Sequence, residues 1–407
     1  ESMPYAPSKK ILERYADVLV NFAPNNGKGI KKGEVIQVVA SECAKPLYAE
    51  ILKAITKAGG HFISKYAPDD DKKFNVSRDF YLNAKEHQLN FFPAKYYRGL
   101  VDQMDHQIMI ISEADMESLK GIDSKKIIER GKSIKPYREW RNEKENKGKF
   151  TWVLALYGTP AMAKEAGLSE KEYWRQIIDA CFLNYPNPVA KWREIGRQID
   201  RTKDKLNRMP IDKLHITGPD ADLWITLGEK RLWEGGRGRN IPSFEIFTSP
   251  DWRGTEGWIR FNQPVYTYGQ LIKGVELKFK KGLVIEAKAR QNEKLLKQLI
   301  SAPGGNRIGE YSLTDKRFSR ITKFMAETLF DENIGGPNGN THLAVGASYH
   351  DCYRGDPSKP KKSDWVRLGF NDSAIHQDMI STNPRTVTAY LKGGRAKVIY
   401  RNGMFAV

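Results

Sequence analysis

The segment His376-Gln377-Asp378 combines two residue types that bind metal ions, two positions apart. On an extended chain, residues i and i+2 face the same side of a strand. The imidazole of His376 and the carboxylate of Asp378 could therefore bind one metal ion through a nitrogen and an oxygen atom. Structural roles account for most single pairs of this kind, so the pattern alone does not establish a metal site.

Three more residues in the second half of the chain carry groups of the same kind. His342 follows the glycine-rich residues 335–340, where the backbone can bend sharply around a site. Glu310 and Glu245 each lie among apolar residues of a predicted strand. A carboxylate there is costly to bury unless it is paired or metal-bound. Taken singly, each glutamate could instead face solvent, and both interpretations stay open at this point.

These candidate residues lie in a part of the chain that is rich in predicted strands. Residues 275–280 alternate apolar with charged side chains, which is typical of a half-buried strand. Lys281-Gly282 predicts a hairpin to 283–289, and Asn402-Gly403 predicts a second hairpin at the C-terminus. A helix is predicted over 293–301. We therefore predict an α+β domain over 209–407, rich in antiparallel strands and carrying the metal site.

The first half of the chain alternates short apolar segments with amphipathic ones. Thr159-Pro160 is a typical helix start, and Ser169 with Glu172 forms a capping box for the next helix. This alternation favours an α/β domain with a mostly parallel sheet over 1–208. The predicted strands cover 34–40, 62–66, 106–112 and 150–157, and the predicted helices cover 46–58 and 169–182, with another from 159.

The second half resembles the thermophilic-type metallo-aminopeptidases, the family of aminopeptidase T, aminopeptidase S and PepS. Six segments in the same order and spacing carry the resemblance, which makes it specific although each segment alone is weak. The segments are IPSFEIFTSP (241–250), TEGWIRF (255–261), RIGEYSL (307–313), TLFDEN (328–333), HLAVGASY (342–349) and IHQD (375–378). The first half resembles the family's N-terminal α/β domain by pattern only.

The resemblance implies a site with two divalent metal ions, and zinc, cobalt and manganese all suit a mixed set of imidazole and carboxylate donors. Glu310 matches the glutamate that contacts both metals, and Tyr349 matches the active-site tyrosine. The implied metal ligands are Glu245, Glu310, Glu332, His342, His376 and Asp378.

The implied activity is removal of N-terminal residues from peptides by a metal-bridged water, which loses its proton readily between two divalent ions. Tyr349 is expected to stabilise the oxyanion, and Glu310 to carry the proton to the leaving amine. The family also implies a homodimer.

The sequence departs from the family pattern at two places. Residues 334–340 are a predicted insertion between Glu332 and His342, which makes Glu332 the least secure of the implied ligands. Phe244 replaces a residue that is usually acidic, beside the retained Glu245.

Two other functions compete with the aminopeptidase. A ring-cleaving iron dioxygenase on the same scaffold would need only His342, His376 and Asp378, the facial triad of a single non-haem iron. A basic binding module with a vestigial site is the other alternative. Retention of Glu245, Glu310 and Glu332 argues against both, because neither function needs these acids.

The composition excludes several other classes of protein. The net charge of +18 raises the question of nucleic acid, but basic residues are spread along the chain and residues 125–149 mix both signs. Specific nucleic-acid binding is therefore not expected. Three scattered cysteines argue against a disulfide framework. GxGxxG, HExxH and GxSxG motifs are absent.

The sequence favours a cytoplasmic protein. No apolar run approaches the roughly 20 residues of a membrane helix. Residues 1–14 lack the apolar core of a signal peptide.

Overall fold

The computed structural model of the protein describes residues 5–236 and 238–407. Contacts divide these residues into two compact units. The first unit comprises residues 5–197, 238–243 and Lys323–Phe330, and the second comprises 198–236, Phe244–Thr322 and Asp331–Val407. Residues 1–4 and 237 of the predicted domains lie outside the described residues, and the predicted division at 208 stays a prediction.

The helices of the described residues, numbered in chain order, are α1 (Lys9–Asn21), α2 (Pro24–Gly27), α3 (Lys45–Lys57), α4 (Val76–Asn83), α5 (Glu86–Leu89), α6 (Ala94–Gln103), α7 (Ser124–Ser133), α8 (Lys135–Asn146), α9 (Pro160–Glu165), α10 (Glu170–Ala180), α11 (Pro188–Arg208), α12 (Glu293–Ser301), α13 (Thr328–Asp331) and α14 (Lys362–Arg367). None of them is both long enough and apolar enough to span a membrane.

The strands of the described residues, numbered in the same way, are β1 (Val35–Ser41), β2 (His61–Ala67), β3 (His106–Ile111), β4 (Thr151–Leu156), β5 (Ile211–Gly218), β6 (Ala221–Thr226), β7 (Glu234–Gly235), β8 (Asn240–Ile241), β9 (Glu245–Thr248), β10 (Asp251–Arg260), β11 (Val265–Thr267), β12 (Gln270–Ile272), β13 (Glu276–Lys280), β14 (Leu283–Lys288), β15 (Ile308–Thr314), β16 (Asn340–Gly346), β17 (His376–Ser381), β18 (Thr386–Leu391), β19 (Ala396–Arg401) and β20 (Met404–Phe405).

The first unit is built around a five-stranded parallel sheet in the order β2-β1-β3-β4-β8. The apolar runs of β1, β3 and β4 are largely buried, as expected for parallel strands covered on both faces. Thr159 caps α9, and Ser169 with Glu172 forms the predicted capping box of α10. The predicted α/β class of this part of the chain is confirmed.

The second unit contains antiparallel sheets, and the predicted fold class is confirmed here as well. Eight strands form one sheet in the order β14-β13-β10-β6-β5-β18-β19-β20. Its two predicted hairpins are present, and both residues of each turn, Lys281-Gly282 and Asn402-Gly403, have positive φ. This conformation suits Asn and Gly and matches the twist of the flanking strands.

A second antiparallel sheet of this unit, in the order β17-β16-β15-β9-β7, contains most of the candidate residues. Every residue of its central strands β15 and β16 is buried. Polar residues such as Glu310 and His342 therefore sit where apolar side chains are the rule. Their presence there requires partners inside the protein.

Candidate metal centre

Five of the six predicted metal ligands lie on the five-stranded sheet of the second unit. Glu245 begins β9, Glu310 is on β15, His342 is on β16, and His376 and Asp378 are on β17. The separation of two residues between His376 and Asp378 puts them on the same side of β17. Four neighbouring strands thus contribute donors to one site.

The strand register explains why these residues meet. Ala344 on β16 is paired with Glu310 on one side and with Asp378 on the other. Ser312 is paired with His342 and with Phe247. Since side chains of directly paired residues project to the same face, the donors converge on a single face of the sheet.

Glu332 comes from outside the sheet, directly after α13. One oxygen of its carboxylate lies within 4.8 Å of donor atoms of both His342 and Asp378. The structure therefore brings together all six predicted ligands, including Glu332, the least secure of them. Within the predicted insertion at 334–340, Gly339 adopts a positive φ of 66° before the chain enters β16.

The six residues form three overlapping groups, and within each group the donor atoms lie within 4.8 Å of one another. The groups are Glu245–Glu310–His342, Glu310–His376–Asp378 and Glu332–His342–Asp378. Glu310, His342 and Asp378 each belong to two groups. Each group alone offers the three donors typical of a metal site with an open position.

The distances place Glu310 between the two imidazoles. Its Oε1 lies 3.6 Å from Nε2 of His342, and its Oε2 lies 3.1 Å from Nε2 of His376. Nε2 of His342 also lies 3.3 Å from Oε2 of Glu245 and 3.7 Å from Oδ1 of Asp378. Each imidazole thus presents Nε2 to carboxylate oxygens.

The orientation of the imidazoles fits metal binding through Nε2. Nδ1 of His376 lies 2.9 Å from the carbonyl oxygen of Ala347, to which it can donate its proton. That hydrogen bond fixes the tautomer in which Nε2 keeps its lone pair. Nδ1 of His342 is buried and has no hydrogen-bond partner among the described residues.

Burial and mutual charge perturb the ionisation of the cluster. Burial raises the pKa of Glu245 to about 7, against the lowering effect of His342. Burial acts to lower the pKa of His342, but Glu310 and Glu245 raise it to about 9. Burial also acts to lower the pKa of His376, but Asp378 raises it well above the ordinary value. The carboxylates thus require positive charge nearby.

Tyr349 lies at the edge of this cluster. Its hydroxyl oxygen is 3.3 Å from Nε2 of His376. Its backbone N–H donates to Oγ of Ser249 at 2.8 Å, and its ring packs edge-on against Phe247. The predicted catalytic tyrosine is therefore within reach of the candidate ligands.

Among the described residues, the other candidates considered from the sequence belong to none of the three donor groups. His350 stacks on Trp365 with ring centroids 3.8 Å apart, and burial lowers its pKa to about 4. Cys352 is a fully buried free thiol, as predicted. Buried His106 contacts Glu34 in the first unit. In the second unit, His215 on β5 contacts Asp222 on β6.

Sequence reasoning missed two serines at the site, Ser312 and Ser249. Oγ of Ser312 donates to Oε2 of Glu245 at 2.7 Å. The two-residue period of a strand could have found Ser312, because it follows Glu310 by two positions on β15. Ser249 offered no local signal, since it meets Tyr349 across 100 positions of sequence.

A buried set of imidazole and carboxylate donors is the kind of site found in metal-dependent hydrolases. The chain belongs to the thermophilic metalloprotease family, M29, whose sequence profile matches residues 8–405. The resemblance predicted from the second half of the sequence is therefore confirmed and extends through the first half. The predicted class of enzyme, a metal-dependent peptidase, is confirmed with it.

Characterised relatives and a solved structure agree with this membership. The chain is 27% identical to aminopeptidase T of Thermus thermophilus, over 98% of this chain and 99% of the relative. It is also 27% identical to aminopeptidase AmpS of Bacillus subtilis, over 97% of this chain and 98% of the relative. The solved structure of AmpT from Thermus thermophilus superposes with a TM-score of 0.81 at 24% identity, covering 98% of this chain and 100% of that chain, which shows the common fold.

Proposed function

We propose that the protein is an aminopeptidase that uses two divalent metal ions held by Glu245, Glu310, Glu332, His342, His376 and Asp378. The observation that carries the proposal is the overlap of three donor groups, in which Glu310, His342 and Asp378 are shared. Shared donors within a few ångströms suit two neighbouring ions better than one, because a bridging carboxylate is what a two-metal site needs.

The charge of the cluster supports two ions. Its four carboxylates, those of Glu245, Glu310, Glu332 and Asp378, can carry four negative charges in a largely buried site. Two divalent ions with neutral imidazoles balance that charge. Burial is the main cause of the raised pKa of Glu245, and the neighbouring carboxylate of Glu310 adds to it, so a nearby cation would favour the ionised form. The donor types suit zinc, cobalt or manganese.

The bound ions would supply Lewis acidity to the scissile carbonyl and to a water molecule. Glu310 would accept the proton of the attacking water and deliver it to the leaving amine, and the short distances from its two oxygens to His342 and His376 support this role. Tyr349 would donate a hydrogen bond to the oxyanion of the attacked carbonyl, and its hydroxyl beside Nε2 of His376 supports this role.

The proposed substrates are peptides with a free N-terminal amine. The relatives named above are aminopeptidases, and they align with nearly the whole of this chain. The iron dioxygenase is not favoured, because the chain belongs to a metalloprotease family and retains three glutamates beside the triad His342, His376 and Asp378. The basic binding module is disfavoured for the same reason.

The first experiment is elemental analysis of the protein reconstituted with zinc, cobalt or manganese, paired with an activity assay. About two ions per chain and release of the N-terminal residue from unblocked peptides are expected. The same peptides with an acetylated N-terminus are the matched control and should not be cleaved. One ion per chain, or equal cleavage of both peptide sets, would overturn the proposal.

The homodimer implied by the family resemblance and the cytoplasmic location favoured by the sequence remain predictions. Sedimentation equilibrium of the metal-loaded protein tests the first, with an expected mass of twice the 46.5 kDa chain. A single-chain mass at working concentration would contradict it.

A further inference from the structure

We propose that Ser312 is a positioning residue that holds the carboxylate of Glu245 and thereby sets the affinity of one of the two metal positions. The inference rests on the proposed function, since it concerns the ligands of that site. It assigns a role to Ser312, which is not among the six proposed ligands.

The geometry at Ser312 is that of a strong hydrogen bond. Oγ of Ser312 donates to Oε2 of Glu245 at 2.7 Å, and both residues are buried. The same Oε2 lies 3.3 Å from Nε2 of His342. A hydroxyl that donates to a carboxylate at this length forms one of the stronger hydrogen bonds in proteins. The bond therefore restricts how the Glu245 side chain can turn relative to His342.

The position of Ser312 in the sheet directs its hydroxyl to the site. Ser312 follows Glu310 by two residues on β15, and it is paired directly with His342 on the next strand. It is fully buried, so water cannot replace it as the donor to Glu245. Ordered partners of metal-binding side chains fix the ligand's orientation, and their loss typically weakens metal binding about 10- to 100-fold.

The effect should be confined to one metal position. Glu245 belongs to the group Glu245–Glu310–His342 and is absent from the group Glu310–His376–Asp378. A residue that merely supports the fold would weaken both positions together or lower only the stability. Ser312 is therefore expected to act selectively on the position that Glu245 serves.

The test is a chelator titration of fully reconstituted Ser312→Ala and wild-type protein, with bound metal followed by elemental analysis. In the variant, one ion per chain should be released at a chelator concentration about 10- to 100-fold lower than in the wild type. Release of the second ion should be unchanged. Ser312→Thr restores a hydroxyl and should return the first release step toward the wild-type value.

Ser381→Ala is the matched control. Ser381 is fully buried on β17 of the same sheet, and its hydroxyl donates to Oδ2 of Asp220 at 3.3 Å. It faces the opposite side of the strand from His376 and Asp378. The control therefore removes the same group from the same sheet, next to a carboxylate outside the metal cluster, and should release both ions as the wild type does.

The outcomes separate this inference from the proposed function. Wild-type release curves in Ser312→Ala, or equal weakening of both ions, would overturn the role of Ser312 while leaving a two-metal aminopeptidase intact. Wild-type protein that binds fewer than two ions would overturn the dinuclear assignment, and the role of Ser312 with it.

Discussion

The hydroxyl oxygen of Tyr349 lies 3.3 Å from Nε2 of His376. The two rings are 4.9 Å apart between centroids. Burial raises the pKa of Tyr349 well above its ordinary value, and the carboxylates of Glu310 and Asp378 add to the effect. The phenol therefore stays protonated at neutral pH and can act as a hydrogen-bond donor beside the candidate ligands.

Replacement of Tyr349 by Phe tests this donor. The variant Tyr349→Phe keeps the ring that packs on Phe247 but loses the hydroxyl. We expect kcat to fall about 100- to 1,000-fold, the usual cost of removing one oxyanion donor. KM and the number of bound ions should change little, because the ring and the six proposed ligands remain. Steady-state kinetics and elemental analysis measure both quantities.

Whether Tyr349→Phe loses activity alone, or activity together with metal ions, distinguishes the possible roles of Tyr349. A variant with normal kcat would rule out the oxyanion role. A variant that loses metal ions and activity together would indicate that Tyr349 supports the ligands instead of the substrate.

Glu310 is the residue whose substitution should be most damaging. The variant Glu310→Gln removes one negative charge and the proton acceptor from the centre of the cluster, where both oxygens lie within 3.6 Å of an imidazole nitrogen. We expect turnover to fall at least about 100-fold, within the range for loss of a general base. Fewer than two ions per chain should remain after reconstitution.

The exposed Glu229 of the second unit provides the control variant Glu229→Gln, which should retain activity and both ions. Normal turnover in Glu310→Gln would disprove both the bridging role and the proton transfer assigned to this residue.

One pair of candidate ligands could be predicted because strands have a period of two. The pair His376 and Asp378 needed only that period, and their place on β17 agrees with it. Their meeting with Glu310 depended on the register of β15, β16 and β17, which no short-range pattern encodes. The contacts of Glu332, which follows α13 instead of lying on a strand, could be inferred only from the family resemblance.

Local sequence patterns predicted some strands of the fold and missed others. The strands β1, β3 and β4 have apolar runs that mark them in the sequence. The two-residue strand β8 has no such signal, and it joins the parallel sheet from beyond residue 208 through pairing with β4 alone. Tertiary contacts, not local sequence, determine whether so short a segment forms a strand.

A buried ion pair in the second unit gives a prediction for stability. Arg385 donates through Nε to Oδ1 of Asp220 at 3.2 Å, and through Nη1 to Oγ1 of Thr341 at 3.0 Å. Both charged residues are buried. The variant Arg385→Met leaves the carboxylate without its cation and should lower the free energy of unfolding by about 3–5 kcal/mol. Urea denaturation monitored by tryptophan fluorescence measures this change.

The double variant Arg385→Met, Asp220→Asn removes both charges and should recover part of the loss, because no unpaired buried charge remains. If the single and double variants lose the same stability, the ion pair is not the cause of the effect.

Glu327 in the first unit makes stability depend on pH. Burial raises its pKa from the ordinary 4.5 to about 7, and the charge of Glu113 adds to this shift. Between pH 4.5 and 7 the folded state therefore holds a proton that the unfolded chain has lost. Glu327 therefore makes its full contribution to stability below about pH 4.5, and that contribution is lost as the pH rises through 7.

The variant Glu327→Gln cannot lose that proton, so its stability relative to the wild type should increase between pH 5 and pH 8. The gain has an upper limit of about 3 kcal/mol, from 1.36 kcal/mol for each unit of pKa shift. Urea denaturation of both proteins across this range provides the comparison. The exposed Glu139, replaced by Gln, is the control and should show a difference from wild type that stays constant with pH. A constant difference for Glu327→Gln as well would mean that Glu327 is already ionised in the folded protein at pH 5.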